Sequence, residues 1–437
     1  MKECKSHKNP VVYYLAWIAI SLFYFYQYIL RVSPGIMIVE LRQTFKLTAE
    51  EFSSLGAIYL YAYSLLQIPL GFILDRAGVR RVICLSIFMC LAGTCLFAFA
   101  KNVGMLQMGR FWIGVGSAPA FICALKLISD HLPAKFHGLL MGATLSIGTI
   151  GALLSGKLLV AILESVGWQN SLLFCAVSGC LILFIVLVFV PDSQHKVTPE
   201  TFPLAHLREG LWVIFKQKEI LIYAVLAIGV YTPLCILADL WGTAFLMEKF
   251  SLERAQAAQI SLYMYGGLTI GSLAMPWISV RWSGLRETIQ VCAAGLILAL
   301  FVLLYVKNIS MGQLTLLLTL IGIFCGAEMV CFTGAAQYTS PSYSGLALGV
   351  VNTLNMLGGA LVQQTIGWYL DFQWKGEYGA DGARLYGATE LSSAFSLLLI
   401  LIAACCVLAI KLPGKNTVKE KENGIKDGSL ASASETA

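Results

Sequence analysis

Apolar residues along this chain fall into long blocks, each interrupted by a short polar stretch. Twelve such blocks can be read: 12–34, 52–73, 82–100, 105–127, 139–162, 170–190, 220–246, 257–278, 289–306, 313–336, 346–369 and 391–411. A block of roughly 20 apolar residues matches the hydrocarbon thickness of a bilayer, where only helices and closed barrels satisfy the backbone. The pattern predicts an all-α polytopic membrane protein with twelve transmembrane helices in two six-helix bundles. The longest polar connection, "PDSQHKVTPETFPLAHLREGLWVIFKQKE", sets the boundaries. Residues 1–190 form the first bundle, 191–218 a cytoplasmic central loop, 219–412 the second bundle and 413–437 a disordered cytoplasmic tail. The first ten residues are polar and basic, but the apolar run after them suits a first span better than a secretory signal core.

Composition sharpens the class. Of 437 residues, 58% are hydrophobic and only 12% charged, with a mean hydropathy of +0.77. Soluble domains average about 25% charged residues, so an ordinary soluble protein is excluded. Assigning alternate connections to opposite sides places 18 Lys and Arg with the termini and 8 opposite them. The positive-inside rule then puts both termini in the cytoplasm, and in a bacterium the membrane would be the inner one. The same bias accounts for the net charge of +6 and implies no nucleic-acid partner. Twelve of the thirteen cysteines sit in apolar segments, without a CxxC pair or zinc spacing, and read as small hydrophobes. No HExxH, nucleophile elbow or Walker loop is present, so neither an enzyme nor a cofactor is expected.

The two halves resemble each other. "GLLMGATLSIGTIGALL" (138–154) aligns without a gap to "GLALGVVNTLNMLGGAL" (345–361), superposing Gly138 on Gly345, Gly142 on Gly349 and Gly151 on Gly358. More loosely, "LYAYSLLQIPLG" matches "MYGGLTIGSLAMP". Parallel six-helix repeats imply bundles related by an axis along the membrane normal, with a solute site at their interface near the midplane. This favours a carrier over a receptor or a membrane enzyme.

Between the second and third blocks lies "GFILDRAGVRR" (71–81). Topology explains its basic residues but not Asp75 or the two glycines, which permit a tight turn and close backbone approach. The stretch resembles the signature loop of the major facilitator superfamily, carried here by Gly71, Asp75, Arg76, Gly78, Arg80 and Arg81. "GRFWIGVG" (109–116) resembles the family's fourth-helix motif and "SDHLPAKFHGLLMG" its 4–5 loop. The resemblance implies the major facilitator fold, a cytoplasmic gate at Asp75, and a role for Arg110 in proton coupling or substrate charge. Asp75 would then cap a neighbouring helix N-terminus, a contact worth about 0.3–1 kcal/mol. The family's helix-5 antiporter signature needs a proline, which "GATLSIGTIGALLSG" lacks, and this favours symport or facilitated uptake over drug exchange.

Candidate solute-binding residues come from two helical stripes. Tyr24, Gln27, Tyr28 and Arg31 are spaced i, i+3, i+4 and i+7 in the first span. A charge in a membrane helix costs at least about 2.5–3.5 kcal/mol, so Arg31 either faces a polar cavity or snorkels to the headgroups. Asn352, Asn355, Gly359 and Gln363 form a second stripe in the eleventh span, contacting solute or tying helices together. Glu328, deep in the tenth span, is the candidate proton carrier, its alternative being a permanently paired structural acid. Lys126 is placed at the inner surface, Lys157 near the outer end of its span, and Asp239 near an outer gate. Tyr59, Tyr63, Tyr263 and Tyr265 mark either a gate or the interfacial belt.

The expectation is a monomeric secondary active transporter. It takes up a small polar metabolite, an amino acid or an organic anion, with protons as driving ion. "YQYILRVSPG" and "LWGTAFL" resemble segments of bacterial amino-acid and organic-anion carriers, the phagosomal group of intracellular bacteria included. The alternatives are an efflux carrier for a drug or siderophore, and a non-transporting sensor on the same fold.

Overall fold

Backbone groups buried in hydrocarbon must bond within their own segment, and the apolar blocks do become helices. The computed structural model describes residues 10–192, 204–340, 343–379 and 382–414. It begins with α1 (Pro10–Ile36), a short α2 (Ile38–Phe45), α3 (Ala49–Ala77), α4 (Val79–Ala98) and α5 (Val103–Ser117). Next come α6 (Pro119–His131), α7 (His137–Phe189), α8 (Leu204–Lys216) and α9 (Lys218–Pro233). A π-helical segment, Leu234–Trp241, joins α9 to α10 (Gly242–Phe250). The remainder is α11 (Arg254–Ile278), α12 (Leu285–Tyr305), α13 (Met311–Cys325), α14 (Ala327–Ala336), α15 (Ser344–Phe372) and α16 (Ala388–Leu408). Among the described residues the only pairing of extended backbone is an isolated bridge between Tyr378 and Arg384.

Ten helical stretches are long and apolar enough to cross a membrane. The fifth and sixth apolar blocks run together as α7, turning at Gly167 with φ +80°. The fourth block is two helices that meet at Ala118, where Pro119 opens α6, and the tenth is divided at Gly326. Hydropathy alone does not mark these breaks, because they fall inside apolar runs.

The central connection differs from the expected loop. Part of it is the amphipathic α8, which buries Ile214 and lays Gly210 against Tyr343 and Leu346 at the start of α15. The tail from residue 415 and residues 193–203 lie outside the described residues.

The internal repeat carries into the backbone. Gly78, between α3 and α4, has φ 78° and ψ 156°; Gly284, before α12, has φ 90° and ψ 162°. They stand 206 positions apart and make the same turn, in a left-handed region open to glycine and strained for other residues. Tyr59 and Tyr265 have the same separation. The first donates to Gln27 of α1, and the second to Asp239 of the π-helical segment beyond α9.

The halves meet along α3 against α15, α7 against α11, and α1 against the π-helical segment. Polar contacts between them gather on the face away from the termini. Arg254 donates to Glu40 and to the Ile36 carbonyl, Trp241 Nε1 to Ser53 Oγ at 2.9 Å, and Arg42 to the Arg384 carbonyl. Asp371, at the end of α15, accepts from the first-turn amides of α3: Ala49 N at 3.3 Å and Glu50 N at 2.8 Å. The next amide, Glu51 N, donates to Thr48 Oγ1 within a capping box, so α3 begins with its orphan donors satisfied from both halves. Arg384 (2.8 Å) and Tyr386 donate to the same Asp371 carboxylate. Burial, with that carboxylate, pushes the Tyr386 phenol above its ordinary value and keeps it a donor.

Toward the termini the interface loosens. Described cross-half bonds on the way to that face include Thr353 Oγ1 to the Ser64 carbonyl at 3.5 Å and Thr149 Oγ1 with Thr269 Oγ1 at 2.6 Å. A Cβ placed on Gly71, Gly138 or Gly345 would meet nothing within 4 Å. The described polar contacts between the halves are denser on the face away from the termini.

If Asp371 anchors this closure, Asp371→Asn removes about 1–2 kcal/mol of charge–dipole and charge-assisted bonding. Hydrogen exchange at the Ala49 and Glu50 amides should then quicken by about 5–30-fold. Unchanged exchange there would show that the closure does not rest on Asp371.

Candidate functional site

Two guanidiniums lie inside the fold, and a guanidinium cannot shed its charge. Arg110, in the middle of α5, is 1% exposed, so it is deep rather than shallow in its span. Its Nη1 donates to the Leu30 carbonyl at 2.8 Å, its Nη2 to the Arg31 carbonyl at 3.3 Å, and its Nε to the Leu55 carbonyl at 3.0 Å. Pro34 explains one acceptor: lacking an N–H, it leaves the carbonyl four residues earlier, that of Leu30, without its helical partner. The Tyr59 ring lies 4.7 Å from the guanidinium carbon. Arg110 therefore clamps α1 to α3 where Arg31 emerges, and all its hydrogen bonds stay in the first half.

Arg31 is bound to the other half. Its Nε and Nη2 both donate to Asp239 Oδ2, at 3.0 and 2.7 Å, and its Nη2 also reaches the Tyr231 hydroxyl. Tyr265 donates to the second Asp239 oxygen, and the Tyr28 and Tyr231 rings stand 5.7 and 5.8 Å from the Arg31 guanidinium carbon. Arg31 thus turns inward to an acid instead of snorkelling to headgroups. Asp239 reaches it from the π-helical segment that follows Pro233; such wide turns recur at functional sites. Gly35 lets α1 approach this segment: a Cβ there would stand 2.8 Å from the Asp239 carbonyl oxygen.

The remaining stripe residues are distributed around this pair. Tyr24 and Tyr28 pack edge to face, their hydroxyls 3.4 Å apart, and Gln27 is buried with its Oε1 accepting from Tyr59 at 3.0 Å. On α15, Asn355 is fully buried and donates from Nδ2 to Glu328 Oε1 at 2.5 Å. Gln363 donates to the Cys235 carbonyl at 3.0 Å, tying α15 to the π-helical segment. Asn352 is half-buried and makes no described side-chain hydrogen bond. Glu328, 6% exposed, opens α14 just after the break at Gly326, within electrostatic reach of Arg31.

The signature loop departs from expectation. Asp75 does not cap a helix of the other half; it pairs with Lys126 Nζ at 3.0 Å, and Lys126 also holds Asp130 at 3.3 Å. All three belong to the first half, at the termini face. Gly71 makes no close approach, whereas Gly78 makes the turn. Arg76 lies over the Phe72 ring, Arg80 donates to the Leu187 carbonyl at 2.7 Å near the end of α7, and Arg81 is exposed. Lys157 is exposed and contributes only its backbone N–H, to Gln259. Tyr63 and Tyr263 are half-buried, while Tyr59 and Tyr265 belong to the buried network.

Sequence reading did not single out Tyr231, or Asp371 with Arg384 and Tyr386. Tyr231 had a signal in "VYTPLCILAD", where a proline and an acid interrupt an apolar run.

Internally repeated helices that surround a buried, charged interface between halves define a membrane-carrier architecture. The family model of the Major Facilitator Superfamily matches residues 16–363, and the chain belongs to that family. This sets it among carriers rather than enzymes. The chain is 27% identical to the probable L-galactonate transporter of Escherichia coli, over 38% of this chain and 37% of that protein. It is 24% identical to the gentisate transporter of Corynebacterium glutamicum, over 83% of this chain and 81% of that one. The fold matches the crystal structure of a bacterial homologue of the human lysosomal transporter Spinster, inward-facing and occupied. The TM-score is 0.73 at 16% identity, covering 93% of this chain and 97% of that one.

Removing one partner of a buried ion pair strands the other, at a cost of about 3–5 kcal/mol. Asp239→Asn should therefore lower stability by that amount, and Arg31→Gln added to it should recover most of the loss. Denaturation of the purified protein checks this; additive losses would mean that the two side chains do not depend on each other.

Proposed function

We propose that this protein is a twelve-span secondary carrier, monomeric and with both termini cytoplasmic, that takes up a small organic anion together with a proton. The supporting observation is Arg31, a permanent cation between the halves, held by an acid that belongs to the opposite half. A carboxylate solute presents the same chemistry as Asp239 and can replace it in a charge-assisted, two-point contact with the guanidinium. Exchange of Asp239 for solute frees the second half from α1, which is the event that opening the closed side requires.

Charge balance supports the proton. Among the described residues the buried charged ones are Arg31, Arg110, Asp239, Glu328 and Glu390, and Glu390 is already balanced by Lys375. With both other acids ionised the remaining charges cancel. A monoanion entering alone leaves the site with an uncompensated negative charge in a medium of low dielectric; one proton on Glu328 restores the balance. The two relatives named above carry solutes whose names denote carboxylate anions. Nothing comparable supports an amino acid, so the anion reading is preferred.

Purified protein should gain thermal stability from gentisate or galactonate, by about 2.7 kcal/mol at a hundredfold excess over Kd. Arg31→Lys should weaken the apparent affinity by about ten- to a hundredfold. Wild-type affinity in that variant would remove Arg31 from the solute site.

Glu328→Gln should abolish pH-driven accumulation in vesicles and spare counterflow exchange, because exchange needs no net proton movement. Accumulation that persists in the variant refutes Glu328 as the proton carrier.

A further inference from the structure

We infer that Asn355 is the positioning residue that makes anion binding follow the protonation of Glu328, an inference resting on the carrier reading above. Asn355 is fully buried, its Nδ2 donates to Glu328 Oε1 at 2.5 Å, and its Oδ1 has no hydrogen-bond partner. A buried acceptor left unmade costs about 1–3 kcal/mol, so a fold tolerates one where another state uses it.

That state follows from the amide itself. A primary amide carries a donor and an acceptor on nearly the same outline, and a half-turn about its last torsion exchanges them. The ionised Glu328 carboxylate is acceptor only, so it takes the N–H end and leaves Oδ1 over. When a hydronium gives its proton to Glu328, an O–H bond forms, a water molecule is released and the carboxylate becomes a neutral acid. Its O–H is a donor and calls for an acceptor. The Asn355 amide turns, Oδ1 accepts from the acid, and Nδ2 with its two hydrogens takes the place that Oδ1 held.

The unpartnered end of Asn355 is then a donor instead of an acceptor. An acceptor oxygen repels the lone pairs of an anion, whereas an N–H pair binds them. Half-buried Asn352 lies three residues away on the same stripe of α15. Only a group able both to donate and to accept does this: aspartate at 355 lacks the donor when ionised, and leucine lacks both.

The groups around Glu328 leave this exchange to Asn355. Arg31 and Tyr28 of α1 act on Glu328, or feel it, through charge alone, as do Tyr231 of α9, Cys325 of α13 and Cys331 of α14. Tyr265 of α11 is committed to Asp239, and Cys292 of α12 lies beside the two cysteines. Asn355 makes the one described side-chain hydrogen bond to Glu328.

The test is infrared difference spectroscopy of the full chain in lipid vesicles, stepped from high to low pH without solute. Wild-type protein should show a protonated carboxyl band, lost in Glu328→Gln, and a side-chain amide band that shifts with the same midpoint. Asn355→Leu should lose the amide band and move the carboxyl band, and Asn355→Gln should retain an amide response. A carboxyl band unaffected by Glu328→Gln overturns the proton-carrier reading, and the inference with it. A Glu328 band in wild type with no accompanying amide shift overturns the inference alone, whether or not either Asn355 variant folds.

Discussion

A guanidinium keeps its charge in any environment a protein offers, and this chain buries two of them among its membrane helices. Each must find oxygen, and the two find it in different ways. Arg110 takes backbone carbonyls of α1 and α3, one freed by Pro34. A carbonyl in a helix of the same half cannot leave, so this clamp persists through any rigid rocking of the halves. Arg31 takes a carboxylate from across the interface. Its partner departs whenever the halves part on the closed side, and something of like charge has to replace it. The first arginine ties helices within one half, and the second joins the two halves.

The chemistry of the face away from the termini fits the same rocking. Its cross-half contacts include polar ones, a carboxylate on helix amides, Arg254 on Glu40 and Trp241 on Ser53, beside apolar packing such as Phe52 against Trp241. Water can take over the polar contacts when the face opens, so the net cost of breaking each is small even though the bond itself is strong. An apolar seal of equal area would be recovered only by closing again. On the termini face, by contrast, Asp75, Lys126 and Asp130 satisfy one another within the first half. The charged loop keeps a local partner in this state, and separation strands no charge.

The sequence made the helices legible because a bilayer permits little else, and the repeat was legible through glycines whose spacing survives in both halves. Gly78 and Gly284 bear this out, making the same backbone turn. Breaks within helices were not legible. The bends at Ala118 and Gly326 and the π-helical segment Leu234–Trp241 lie inside long apolar runs, so hydropathy alone does not mark them. The helix in the central connection was obscured by its polar face, since α8 buries only a narrow stripe. Among site residues, charge in an apolar run was a sound signal for Arg31, Glu328 and Asp239. What the chain could not disclose was partnership. Periodicity put Asn355 and Gln363 on one stripe, yet the first serves Glu328 and the second a backbone carbonyl of the neighbouring π-helical segment. Asp75 shows the reverse error: a motif suggested a distant partner, and a lysine on the next helix pair was nearer.

Of the two buried acids near Arg31, only one is placed to take a proton without first disturbing the interface. Both oxygens of Asp239 are occupied, Oδ2 by two guanidinium donors and Oδ1 by the Tyr265 hydroxyl. A proton arriving there has to displace a donor and, through it, the contact between halves. Glu328 has a single described side-chain donor, an amide that can turn to accept. Loading a proton on Glu328 therefore costs a rotation, while loading one on Asp239 costs the closure itself. Hydrogen-bond count separates the two: the crowded acid joins the halves through Arg31, and the uncrowded one can change partners without touching that contact.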